Sequence, residues 1–149
     1  MILPEITLSV NYDKKIKKSE LVKIGNSQDA YEVFKQVFDA DKFDWIEQMI
    51  LLCLNNGHKV IGFVKISSGG MTETSLDPKV VFVHALHTVG CCSIMLAHNH
   101  PSGNLKPSNE DIKITQKIRD AGKLLDIKLL DHLILNDEGY YSFADEGIL

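Results

Sequence analysis

The chain has 149 residues, 44% of them hydrophobic, with three cysteines and a formal net charge of −4. That is enough apolar material to bury the core of one domain, and no apolar run reaches the roughly 18 residues of a membrane span. The acidic balance gives no general attraction to nucleic acid, and three cysteines do not make a disulfide framework.

Met1-Ile-Leu-Pro-Glu5 lacks a basic region followed by a hydrophobic core, so no signal peptide is expected. The cysteines read as buried thiols within apolar strands, which fits a cytoplasmic protein. Residues 1–27 read as an N-terminal extension, with a strand over Ile6–Val10 and a basic turn carrying Lys14, Lys15, Lys17 and Lys18. Such a charge run is more often a solvated turn than a partner surface. The extension packs either on the core or on another subunit, so an oligomer stays open.

The domain proper, residues 28–149, follows a helix cap at Ser27. Ala30, Val33, Phe34, Val37 and Phe38 recur at helical spacing and mark a core-facing stripe. Trp45–Leu54 is a nearly continuous apolar stretch that predicts a buried strand, with one carboxylate, Glu47, near its start. A charge there needs a reason, because burying it unpaired costs several kcal/mol. Asn56-Gly57 predicts a type I′ hairpin, and Val60–Ile66 returns as the partner strand. A Gly69-Gly70 loop follows. It holds Glu73, a rival to Glu47 but more naturally a solvated loop residue. Asp77-Pro78 opens a helix in which His84 and His87 lie one turn apart, expected at its surface rather than on a metal.

The apolar run Cys91–Ala97 predicts a strand that delivers His98 and His100 to one face. Pro101 ends it and Ser102-Gly103 turns the chain. Ser108 then reads as the N-cap of a helix over 109–125, with Asp111 in its first turn and Ile114, Ile118, Ala121 and Leu125 inward. Two imidazoles and a carboxylate are the donor set of a catalytic Zn²⁺ with one open position. Ile127–Leu135 predicts another strand. His132 within it reads as a core histidine satisfied by a hydrogen bond. An Asn136–Gly139 turn and Tyr140–Phe143 complete a hairpin. Strands alternating with helices, plus hairpins, predict a single α/β domain with a mixed β-sheet flanked by helices.

His98-Asn-His-Pro-Ser-Gly103, followed by Pro107-Ser108-x-x-Asp111, closely resembles the signature of the JAB/MPN (JAMM) metalloprotease superfamily, and within it the RadC branch, long labelled DNA repair proteins. Leu130-Asp131-His132-Leu133-Ile134 and Tyr141-Ser142-Phe143 resemble that branch too, so the likeness spans about residues 28–149. It implies the deaminase-like JAB/MPN fold, zinc held by His98, His100 and Asp111, Glu47 as the base that deprotonates the attacking water, and Ser108 steadying the oxyanion. The reaction class is hydrolysis of an amide, peptide or isopeptide bond in a protein or peptide substrate. Two alternatives remain: a RadC-type protein that binds or acts on nucleic acid, and a non-catalytic interaction module.

Overall fold

The computed structural model describes residues 1–68 and 76–149; Glu73 lies outside them. The sheet has the strand order β2-β1-β3-β4-β5, built from β1 (Gln48–Leu54), β2 (Val60–Ser68), β3 (Ser93–Asn99), β4 (Lys128–Leu135) and β5 (Tyr140–Ser142). Only β3 and β4 pair in parallel; the other neighbours are antiparallel. A parallel pair needs a long crossover, and helix α3 (Asn109–Leu124) supplies it. This is the expected α/β mixed sheet, and it is consistent with the JAB/MPN fold. No helix among the described residues is long and apolar enough to cross a membrane.

Both faces of the sheet are covered, which explains why β1 and β3 are buried at every position. Helix α1 (Ser27–Val37) packs Ala30, Tyr31 and Phe34 on one face, against Ile50, Leu52, Met95 and Leu133. Helix α2 (Pro78–His87) and α3 cover the other, where Val81, Phe82, Ala85 and Ile118 meet Met49, Leu51, Ile94 and Leu96. The alternation along β1 and β3 assigns faces: Met49 lies on the α2/α3 side, and so do Ile94, Leu96 and, by the same period of two, His98.

Several local expectations are corrected. Ile6–Val10 forms no strand; the whole segment is exposed. Its alternating pattern finds no strand partner among the described residues, where the chain first joins the sheet at the isolated Lys23–Lys59 bridge, with Ile24 in the core. The cap of α1 is Asn26, whose side chain accepts from the Asp29 amide, and not Ser27. Trp45 and Ile46 precede β1. The Asn56-Gly57 hairpin is not type I′: the positive φ falls on His58, and His58 N donates to Asn55 O at 2.9 Å. The left-handed residue closes a three-residue loop that sets Asn55 opposite Lys59, and a separate irregularity follows where the register shifts between Cys53 and Leu54. Cys91 and Cys92 precede β3, and Cys92 is exposed. Leu125 caps α3 from an exposed position.

Candidate metal centre

The C-terminal end of β3 and the N-terminus of α3 meet on the α2/α3 side of the sheet. His98, the penultimate residue of β3, is fully buried. His100 follows just beyond the strand, where its amide still donates to Leu135 O of β4 at 3.0 Å. The chain then turns back through Pro101–Gly103. Gly103 takes a left-handed φ of +82°, a conformation glycine adopts without steric cost. Asn136 Nδ2 holds this turn by donating to Gly103 O at 2.8 Å.

Ser108 is the N-cap of α3. Its Oγ accepts from the Asp111 amide at 3.0 Å, and its own amide donates to Asp111 Oδ2 at 2.8 Å. This reciprocal capping box satisfies two orphan helix donors. It also fixes the carboxylate's direction, with Asp111 Oδ1 3.3 Å from His98 Nε2 and Oδ2 3.5 Å from His100 Nε2. The two Nε2 atoms are 2.9 Å apart. One ligand atom from each of the three residues falls within a 4.8 Å cluster able to hold a metal ion.

The chemistry of these donors fits a cation. His100 Nδ1 lies 2.6 Å from the Asn104 carbonyl, which can only accept, so Nδ1 carries a proton and the neutral ring turns a bare Nε2 to the cluster. Burial pushes the Asp111 carboxyl up, but the His100 and His98 side chains outweigh it and hold the carboxyl well below the ordinary carboxylate range. Burial likewise disfavours a charged His100, yet Asp111, the Asn104 carbonyl and the charge on Glu47 raise its pKa. Lone pairs of two imidazoles and a carboxylate converge here, a donor set suited to a cation.

Glu47 stands beside this cluster. Met49 pairs with His98 at the end of the β1–β3 ladder, and Glu47, two residues before Met49, lies near enough for its charge to act on His100. Glu47 is 8% exposed. Its backbone is held by a residue the sequence did not single out: fully buried Asn99 accepts from Gln48 N at 2.7 Å and donates to Phe43 O and Ile46 O at 2.6 and 2.9 Å. Asn99 points away from the metal face and clamps the segment that carries Glu47.

His132 is the core histidine expected from its strand. Its Nε2 lies 2.8 Å from His98 Nδ1, its Nδ1 lies 2.6 Å from Thr115 Oγ1, and its ring stacks on Phe143 at 4.9 Å. Burial, then the nearby His98, push its pKa well below the ordinary histidine value. Its neighbour Asp131 accepts from Ser142 Oγ, His132 N and Ala144 N at 2.6, 2.7 and 3.0 Å. His84 and His87 turn Nδ1 to carbonyls of their own helix, those of Val80 and Val83, and belong to no metal cluster among the described residues.

Residues 24–148 match the family model described as RadC-like JAB domain. The chain is 43% identical over 129 residues to a UPF0758 protein of Flavobacterium johnsoniae, covering 87% of this chain and 55% of that protein. It is 46% identical over 104 residues to one of Porphyromonas gingivalis, covering 69% and 45%. A UPF0758 protein of Clostridium perfringens is 37% identical over 136 residues, covering 91% and 59%. The chain thus spans about half the length of the curated relatives it matches.

Proposed function

We propose, for a chain that belongs to the RadC-like JAB domain family, a zinc-dependent hydrolase of amide, peptide or isopeptide bonds acting on a protein or peptide. The observation that carries this reading is the convergence of His98, His100 and Asp111, with the charge of Glu47 near enough to act on His100. Two imidazoles and one carboxylate suit zinc with an open coordination position. Zinc, once bound there, would polarise a substrate carbonyl and acidify a water molecule.

The chain's own residues would do the rest. His98, His100 and Asp111 hold the metal. Glu47, near enough for its charge to act on His100, accepts a proton from the attacking water on its carboxylate. It then returns that proton to the leaving amine nitrogen, so the protons balance over one turnover. Ser108 Oγ uses a lone pair to cap α3, which leaves its hydroxyl proton to donate to the carbonyl oxygen as negative charge develops; donors of this kind are worth about a hundredfold or more.

The test has two parts. Metal analysis of protein purified without chelator or a histidine tag should find one zinc per chain, most of it lost in His98→Ala. A screen of peptide and isopeptide substrates should then find activity that Glu47→Gln lowers by about 10²–10⁴-fold while its zinc content stays unchanged. Full zinc retention in His98→Ala would remove the ligand assignment, and undiminished activity in Glu47→Gln would move the base elsewhere.

A further inference from the structure

We infer that His132 and Thr115 are positioning residues for the metal: they form a directional hydrogen-bond relay that fixes the tautomer of His98 and keeps its Nε2 bare toward the cluster. The inference rests on the metal-site reading above and adds two residues that never touch the ion.

The argument is a proton count along one chain of contacts. Thr115 Oγ1 lies 2.6 Å from Asp111 O and 2.6 Å from His132 Nδ1. A hydroxyl has one proton, and a carbonyl has none to give. If that proton goes to the carbonyl, His132 Nδ1 must supply its own and donate to Thr115 Oγ1. A neutral His132 then has a bare Nε2, which accepts from His98 Nδ1 across 2.8 Å. His98 therefore carries its proton on Nδ1, and Nε2 offers a lone pair to the site. Run in the opposite direction, Thr115 would donate to His132 and the last proton would sit on His98 Nε2, aimed at the metal. The Thr115–Asp111 contact would then press two oxygen lone pairs together at 2.6 Å with no proton between them. Only the first direction satisfies every contact.

The relay is built to be rigid. His132 is fully buried and stacked on Phe143 with an interplanar angle of 11°, and Thr115 is 1% exposed on the inward face of α3. It begins on one ligand, His98, and ends on the backbone of another, Asp111, so it ties β3, β4 and α3 together behind the site. Partners that orient a metal-bound imidazole typically change metal affinity by about 10–100-fold when lost.

Thr115 offers a clean pair of variants. Thr115→Val keeps the shape and removes the hydroxyl; Thr115→Ser keeps the hydroxyl. Zinc affinity, measured by chelator competition on the full chain, should fall about 10–100-fold in Thr115→Val and stay within about threefold of wild type in Thr115→Ser. Melting temperatures of the metal-free variants would show whether a loss merely follows unfolding. Long-range ¹⁵N NMR of the histidine rings should place protons on His98 Nδ1 and His132 Nδ1. Equal zinc affinity in Thr115→Val and wild type, or a His132 proton on Nε2, would overturn the relay. Failure of the wild type to bind zinc would instead remove the metal-site reading, and the ring tautomer of His132, read without metal, would still decide the relay.

Discussion

Zinc binding should release close to one proton at mildly acidic pH, and the cluster geometry sets the count. In the metal-free protein one proton relieves the convergence of lone pairs. The 2.9 Å between His98 Nε2 and His100 Nε2 leaves room for one proton between the rings and not two. Burial opposes a charge on His100, but Asp111, Asn104 O and Glu47 prevail and raise its pKa above 6.5. At pH 6.5 the ring is therefore more than half protonated, and zinc must displace that proton, because only a bare imidazole nitrogen binds metal. Asp111 contributes none, since its carboxyl is already ionised. Release should exceed about half a proton per zinc at pH 6.5, approach one near pH 5.5 and fall away as pH rises above the raised pKa. Below the raised pKa, affinity should drop about tenfold per pH unit, or ~1.4 kcal/mol. The sign for stability follows. The protonated His100–Asp111 pair stabilises the metal-free fold below pH 6.5, and that contribution is lost as pH rises through the raised pKa. The metal-bound form gains over the same interval, so the rise in melting temperature on adding zinc should grow from pH 5.5 to 7.5. Isothermal titration calorimetry in buffers of different ionisation enthalpy reads the proton count directly. Near-zero release at pH 6.5, or affinity flat between pH 5.5 and 6.5, would refute the reasoning.

Three further outcomes are expected. Gly122→Ala should destabilise the fold by about 1–3 kcal/mol or more, because a Cβ there would meet the Ile127 carbonyl oxygen at 2.2 Å; at an open helix site the same change would stabilise by about 1 kcal/mol, so thermal unfolding decides by sign. Asp131→Ala leaves the Ser142 hydroxyl and the His132 and Ala144 amides without their acceptor and should cost about 1–3 kcal/mol, seen as a melting-temperature drop of roughly 2–12 °C. Duplex DNA should bind weakly and with a steep salt dependence, through Lys14, Lys15, Lys17 and Lys18 on the exposed N-terminal segment; a salt titration against a variant with all four changed to Gln checks it, and binding that survives high salt or needs His98 would point to a nucleic-acid enzyme.

The parts of this molecule that are legible in its sequence are those whose physics is local. Ser108 and Asp111 are three residues apart, and one capping geometry sets both the helix start and the carboxylate direction. His98 and His100 share a face because a strand has a period of two. The buried strands show as unbroken apolar runs because helices cover both sides. What stays hidden depends on partners distant in the chain. Ile6–Val10 alternates like a strand, but alternation states only what a strand would bury, and no neighbour among the described residues pairs with it. The hairpin at Asn56-Gly57 sets Asn55 opposite Lys59 across a three-residue loop rather than following its dipeptide preference, so the left-handed residue is His58. Asn99 reads as filler between two histidines, yet it clamps the Phe43–Gln48 segment from 51 residues away in sequence. His132 is legible as a buried, hydrogen-bonded ring because a histidine inside an apolar strand must be satisfied. That its partner is His98 follows only from the parallel β3–β4 pairing, which sets two strands joined by a 16-residue helix side by side. A ligand set can thus be written into the fourteen consecutive residues from His98 to Asp111, while the groups that aim those ligands are recruited by topology. The same crossover that makes α3 deliver Asp111 also brings Thr115 and His132 behind His98, so the fold that assembles the site orients it in the same step.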